Sequence, residues 1–264
     1  MQRFLRSVYS VLLEFGIDPR KAFHAICGVP SYFRDLRLLL RQRRSAARGF
    51  PLGKPFPCLA DKYSDSGSAK GHYFHQDLLV ARRIFANSPC KHVDVASRVD
   101  GFVAHVASFR SIEVFDIRPL ARTIPNVRFV QADLMAPLDA RLVDYCDSLS
   151  CLHALEHFGL GRYGDAVNYD GYLFALDNLQ NVLKRGGKFY LSVPIGPQRI
   201  EFNAQRVFSV GYLLECLSGN FAVDQFSFVD DEGDLHENVP ITDADAQNSF
   251  GCIYGCGIFE LTKL

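Results

Sequence analysis

No stretch of the 264-residue chain approaches the roughly 20 consecutive apolar residues that span a bilayer, so no membrane-crossing helix is expected. No small-residue cleavage site follows the opening MQRFLRSVYSVLLEFG, where Glu14 interrupts the apolar run, and this argues against a secretory leader. Leu5, Val8, Leu12 and Phe15 share one helical face there instead. The eight cysteines lack the compact spacing of a disulfide framework; only Cys252 and Cys256 stand close, and reduced thiols in a cytoplasmic protein are expected. Internal repeats and low-complexity tracts are absent. Basic residues are missing between Arg206 and Lys263, whereas Arg34, Arg37, Arg41, Arg43, Arg44 and Arg48 crowd one segment, so a formal net charge of zero conceals opposite fields at the two ends. Nucleic acid is the least supported partner, because the basic run lacks interleaved aromatics and the chain has no overall positive charge. That run reads first as a solvated helix face, with peripheral contact to an anionic membrane as the alternative.

What is present describes a globular protein, with 48% apolar and 22% charged residues, long enough to bury about 70–75% of its unfolded surface. Residues 1 to about 45 read as helices punctuated by Gly16, Asp18-Pro19 and Gly28-Pro30, and residues 49–71 are rich in Gly, Pro, Ser and Asp. The expected division is therefore an N-terminal helical extension and linker over 1–55, then one domain over 56–264. From HYFHQDLLVARRIF, with Leu78, Leu79, Ile84 and Phe85 as its apolar positions, strand-like and helix-like segments alternate. Seven strand candidates follow, at 91–97, 111–117, 127–133, 145–151, 188–194, 222–229 and 253–263. The expected class is α/β, a Rossmann-like, mostly parallel seven-stranded sheet covered by helices. The last two strands should form an antiparallel pair at the sheet edge, because only the acidic loop Val229 to Asp245 separates them.

Ligands on such sheets bind beyond the carboxyl ends of the strands, where strand order reverses. The first strand ends in DVASRVDG, Asp94 to Gly101, where a nucleotide-binding turn would offer alternating glycines; only Gly101 is there, one place late. Ala96 is tolerable, but Arg98 and Asp100 add bulk and charge where backbone should approach a ligand. The second strand ends at Asp116, which can accept ribose hydroxyls or cap the following turn, and the third closes near Asp133, which can accept from a purine amine. Ser148 to Asp165 contains His153-x-x-Glu156-His157, matching an inverted zinc-protease signature in which both histidines share a helix face. A catalytic zinc needs a third ligand, and no downstream Glu clearly offers one, so no metal is expected.

Taken together, DVAS, FDI, QADL, SLSCLHALEH and LQNVLKRGGKFYLSVP resemble the class I S-adenosylmethionine-dependent methyltransferases. Gly186 in the last of these fits the C′ position of the preceding helix. More narrowly, HVDVASRVDGFVAHVASF, DIRPL, EHFGLGRYGD and FNAQRVFS resemble a family first described as a Caenorhabditis domain of unknown function, whose bacterial members accompany surface-polysaccharide genes. The resemblance covers roughly residues 56–229, and GLGRYGD is its most specific element.

The resemblance implies S-adenosylmethionine as cofactor, with Asp94, Ala96, Ser97, Arg98 and Gly101 at its methionine end, Asp116 at the ribose and Asp133 at the adenine. Arg98 and Asp100 either complement the cofactor's charges or fill its place. His153, slightly ahead of His157, is the expected general base, with Glu156 as orienter or second base. Arg162, Tyr163 and Asp165, with Asn203 and Arg206, are candidate contacts to a small-molecule or lipid-linked sugar. Tyr73, His75 and Asp77 open the helix before the first strand, from where a lid residue could close. The expected activity is methyl transfer to a sugar or glycan precursor in surface-polysaccharide biosynthesis. The alternative is a methyltransferase-like protein that modifies or binds sugars without methylating them. Self-association remains open.

Overall fold

The computed structural model describes residues 9, 11–13, 15–46 and 48–264, so the helical face drawn through Leu5 and Val8 lies outside it. The described chain divides into two compact units, Met1–Ser68 and Ala69–Leu264. The expected boundary at residue 55 falls inside the first.

In the first unit, helix α1 spans Pro19–Arg43 as one element, capped by the Asp18 carboxylate, which accepts from the backbone N–H groups of Arg20 and Lys21. The break expected at Gly28-Pro30 does not occur. Proline costs the helix one hydrogen bond, but Gly28 packs so closely on the Leu59 carbonyl that a Cβ would stand 2.0 Å from its oxygen. Tyr63 Oη donates to the Cys27 carbonyl at 3.1 Å and its ring stacks on His24, so the Gly- and Pro-rich segment belongs to this unit rather than serving as a free linker.

In the second unit, β1 (His92–Val95), β2 (Ile112–Asp116), β3 (Val127–Gln131), β4 (Cys146–Leu152) and β5 (Leu183–Ile195) are parallel. A β6–β7 hairpin (Arg199–Glu201, Gln205–Val207) stands apart, and β8 (Phe221–Val229), β9 (Leu235–His236) and β10 (Gly255–Lys263) complete the large sheet. Its order is β3-β2-β1-β4-β5-β10-β8-β9, eight strands rather than seven. The expected antiparallel β8/β10 pair is present, but β10 inserts between β5 and β8, and the two-residue β9 takes the edge.

Helices α2 (His72–Asn87) and α3 (Phe102–Ala107) cover one face, and α4 (Gly171–Val182) and α5 (Val210–Leu217) the other. A short α6 (Asp243–Asn248) lies in the acidic connection. The buried stripe of α2 is Leu79, Val80, Ala81 and Ile84, while Leu78 and Phe85 are exposed. Gly186, at φ +76°, lies within the irregular start of β5 and not at the helix C′ position, because α4 ends at Val182 with Leu183 already extended.

Side chains alternate across each strand. On β1 and β4 this puts Val93, Val95, Leu149 and Cys151 in the core beneath α4 and leaves a buried polar row on the opposite face. His92 bridges the Ser148 and Ser150 hydroxyls at 2.8 and 3.2 Å, and Ser150 Oγ donates to Asp94 at 2.6 Å. Burial, aided by the charge of Arg110 and opposed by Asp147, pushes His92 down to about 3. A base with its folded pKa below its unfolded one contributes stability above about pH 6.5 and loses it as pH falls toward that folded pKa. His92→Asn is therefore expected to flatten the fall in unfolding free energy between about pH 6.5 and 4, by up to about 1.4 kcal/mol per pH unit. Urea titrations of both proteins at a series of pH values check this; parallel curves would mean that His92 is not held neutral.

Candidate active site

Strand order reverses at β1, which lies between β2 and β4. At that switch point a cavity of about 570 Å³ opens beyond the strand ends, a size typical of small-molecule sites. Two non-glycine residues on its wall hold left-handed backbone, Ala96 at φ +63° after β1 and His153 at φ +48° after β4. Such strain costs about 1–3 kcal/mol each and concentrates at functional sites. Ala96 thus adopts the conformation that a glycine would have taken freely.

The β1 turn is built on Asp94. Its fully buried carboxylate accepts from Ser97 N at 3.0 Å, Ser97 Oγ at 2.9 Å and Ser150 Oγ. Burial pushes Asp94 up to about 7, against the pull of these donors. Asp94 supports the cavity from behind, while Ala96, Ser97, Arg98 and Gly101 line it. Gly101 is where it is because the Asp77 carboxylate packs over it, with Oδ2 only 3.1 Å from where a Cβ would stand. Asp77 also lines the cavity and is raised by burial. Arg98 and Asp100 do not plug the site. They form a two-pronged pair at 2.9 and 2.6 Å, with side chains 74% and 64% exposed at the rim.

Asp116 and Asp133 both reach the cavity. Asp133 accepts from Met135 N at 2.9 Å. Asp116 holds Arg118, which lies in the DIRPL segment but has no role assigned from the sequence, accepting from Arg118 N at 2.8 Å, Nε at 3.0 Å and Nη2 at 2.5 Å. The guanidinium then lies 4.6 Å from the Tyr163 ring centre, so Arg118 and Tyr163 close over the carboxylate.

The run His153 to His157 is not an α-helix. Only Leu155–His157 turns, as a single 3-10 turn, and His153 precedes it in left-handed backbone. The two histidines therefore share no helix face, and the inverted zinc-protease geometry is absent. His153 Nδ1 bonds Glu156 Oε1 at 2.8 Å, and its ring stacks on His72 and lies tilted against Tyr73. Burial opposes charge on His153, but Cys256 and the Glu156 carboxylate outweigh that and hold it well above an ordinary imidazole. His157 differs: Nδ1 lies 2.8 Å from the Ala204 carbonyl oxygen, an acceptor only, so Nδ1 carries the proton and Nε2 has the free lone pair. Burial lowers its pKa despite Glu156 nearby. Both histidines border the cavity; Glu156 stands behind them.

The Gly159–Asp165 loop arches beside His157, with Tyr163 edge-on to its ring at 5.3 Å. Asp165 staples this loop, accepting from Gly159 N, Gly161 N and Tyr163 N, so its carboxylate is committed to local structure. Arg162 and Tyr163 are left facing the cavity. Arg206 is 5% exposed and donates to the Phe158, Tyr169 and Glu156 carbonyls, clamping the loop's two ends instead of meeting a ligand. Asn203, at φ +61°, makes the exposed tip of the β6–β7 hairpin and does not line the cavity. Tyr73 and Asp77 reach the cavity from α2, together with Gln76; His75 does not. Gln76 sits within a buried chain, accepting from Ser192 Oγ at 2.6 Å while Ser192 Oγ accepts from His153 N. Sequence reading passed over Gln76 because a lone glutamine on a helix carries no spacing signal.

All eight cysteines are free thiols, and no described helix is long and apolar enough to cross a membrane. No curated protein matches the chain. Among solved structures it is similar to the 4+2 cyclase SpnF, at 13% identity over 72% of this chain and 80% of that one, with a TM-score of 0.50. It is also similar to the N-methyltransferase NodS from Bradyrhizobium japonicum WM9 in complex with S-adenosyl-L-homocysteine, at 12% identity over 73% of this chain and 88% of that one, TM-score 0.48. A third is 1,6-didemethyltoxoflavin-N1-methyltransferase from Burkholderia thailandensis, at 17% identity over 71% and 78%, TM-score 0.48. Residues 130–247 match the family described as "Caenorhabditis protein of unknown function, DUF268", a span that takes in GLGRYGD and the acidic connection but not the β1 turn. The chain thus carries its DUF268 match on a mixed α/β fold with a mostly parallel sheet, similar to that of SpnF.

Proposed function

We propose that this protein is an S-adenosylmethionine-dependent methyltransferase acting on a hydroxyl of a sugar or a nucleotide- or lipid-linked glycan precursor. The observation that carries the reading is three carboxylates on the wall of one cavity, Asp77 on α2 over the β1 turn, Asp116 at the end of β2 and Asp133 after β3, with Asp94 buried behind the turn as its support. Asp77 suits the positive charge at the methionine end of the cofactor, and Asp116 and Asp133 suit its ribose and its adenine amine. Ala96, in left-handed backbone, and Gly101, with the Asp77 carboxylate beside its Cα, put the β1 turn on the cavity wall. When bound, the cofactor supplies an electrophilic methyl group on sulfur.

The chain's own residues would position the acceptor and take its proton. His157, its pKa lowered by burial and its Nε2 unbonded, is better suited as the base than His153, whose Nδ1 is tied to Glu156 and whose pKa is raised by Cys256 and Glu156. Tyr73 offers an aromatic face to a sugar ring, and Arg162, with Nη1 on the Ala204 carbonyl, keeps further N–H donors for a phosphate. Holding the hydroxyl in line with the methyl could supply up to about 7–11 kcal/mol of the barrier. The glycan acceptor and its place in surface-polysaccharide biosynthesis lean on the family resemblance in the sequence. A lipid-linked acceptor would suit the arginine-rich α1, which could rest on an anionic membrane surface.

One observation favours a second reading, a methyltransferase-like protein that modifies or binds sugars without methylating them: Arg118 already engages both oxygens of Asp116. Calorimetric titration with S-adenosylmethionine and S-adenosylhomocysteine separates the two. Micromolar binding of both, followed by labelled-methyl transfer to nucleotide sugars, is expected. Folded protein that binds neither at millimolar concentration would leave the second reading.

A further inference from the structure

Behind the cavity wall, one ring nitrogen each of His72 and His153 and the Sγ of Cys256 lie within 4.8 Å of one another. They come from three distant places in the sequence: the first turn of α2, the end of β4 and the start of β10. His153 and Cys256 are buried and His72 is half-buried.

We propose that His72, His153 and Cys256 form a binding site for a thiophilic divalent cation such as Zn²⁺, with two imidazoles and a thiolate as ligands. A set of three with nitrogen and sulfur donors is a recurrent zinc arrangement that keeps a fourth position open. It shares only His153 with the zinc-protease run, and it stands independently of methyl transfer.

The hydrogen bonding around the cluster points to a cation. His153 gives its Nδ1 to the Glu156 carboxylate at 2.8 Å, which orients the ring and fixes the tautomer. Its Nε2 is buried with no hydrogen-bond partner. A buried imidazole nitrogen left without a partner is costly, so it calls for an occupant. A histidine bonded to a carboxylate through one nitrogen and to a metal through the other is the usual outer arrangement of zinc sites. The His72 ring also lies against that of Tyr254, with centroids 5.4 Å apart. Tetrahedral zinc with ordinary bond lengths brings its ligand atoms to about 3.3–3.6 Å from one another. The His72 and His153 rings lie 5.1 Å apart and nearly parallel, so His72 must turn out of the stack for both ring nitrogens to meet one ion. A cation here would occupy the free nitrogen of His153, remove that residue from proton transfer and leave His157 as the only imidazole of the pair able to act as base.

The test is titration of the reduced full-length protein with Co²⁺ under anaerobic conditions, followed by absorption and then displacement with Zn²⁺. Expected is a one-to-one complex with a thiolate-to-cobalt band in the near ultraviolet, lost in Cys256→Ser and kept in Cys252→Ser. Glu156→Gln should weaken binding by about 10–100-fold through the outer bond to His153. Should Cys256→Ser fail to fold, His72→Asn, at a half-buried position, must abolish stoichiometric binding instead. No thiolate band in the folded wild-type protein, or a band that survives Cys256→Ser or disappears in Cys252→Ser, overturns the site.

Discussion

Asp116→Ala is expected to weaken S-adenosylmethionine binding at least about 100-fold. Two charge-assisted hydrogen bonds to a ribose are worth roughly 3–6 kcal/mol together, and each 1.4 kcal/mol is a factor of ten. The expectation sits at the lower end because the carboxylate is already satisfied: Arg118 supplies three donors to it, and ribose must displace some of them. The same reasoning fixes the sign for Arg118→Ala. With the guanidinium gone Oδ2 is free and Oδ1 keeps only the backbone N–H of residue 118, so affinity should rise, while Asp116→Ala loses it. Calorimetry on both variants reads the pair. Equal losses in both would mean that Arg118 helps to hold the cofactor, and no change in either would remove Asp116 from the site.

Arg206→Ala is expected to destabilise the fold by about 3–5 kcal/mol, a large share of the roughly 5–15 kcal/mol that holds a domain together. The guanidinium donates at 2.6 Å to the Phe158 carbonyl and at 2.8 Å to that of Tyr169, and lies 4.7 Å from the Tyr172 ring centre. Removing it strands buried carbonyls at about 1–3 kcal/mol apiece and opens the space beneath the loop. Burial lowers the Arg206 pKa, yet a guanidinium stays charged, so its removal also uncovers no compensating neutral form. A melting temperature lower by roughly 10–15 °C follows for a domain of this size. Arg206→Lys should recover little, since a single ammonium cannot span two carbonyls as the planar fork does. Thermal unfolding distinguishes this from a substrate contact, whose loss would leave the melting temperature unchanged.

Much of the sheet was legible. The period-2 runs at Val93-Val95, Ile112-Val114 and Leu149-Cys151 are buried strands, and a strand candidate stands for each of β1 to β5, β8 and β10. Alternation of apolar residues is a local property, so a local reading recovers it. The two-residue β9 and the three-residue β6 and β7 were not legible, being too short to establish a period. The single helix across Gly28-Pro30 was missed because its reason, the close approach of Leu59, lies 31 residues on.

At the candidate site, what the sequence by itself determined is which chemical groups stand at the strand ends: carboxylates at 94, 116 and 133, and imidazoles at 153 and 157. These follow from strand boundaries alone, since the last residues of parallel strands converge wherever such a sheet forms. Only the tertiary structure decided what each group is free to do. Asp165 and Arg206 are spent on loop carbonyls and amides, and Arg118 reaches Asp116 while its guanidinium meets Tyr163, which lies far along the chain. The late glycine at 101 is explained by Asp77, and the difference between His153 and His157 comes from Glu156 on one side and the Ala204 carbonyl on the other. Hydrogen-bond partners and burial set whether a polar side chain binds, catalyses or holds the fold, and in this protein those partners come from segments that only folding brings together.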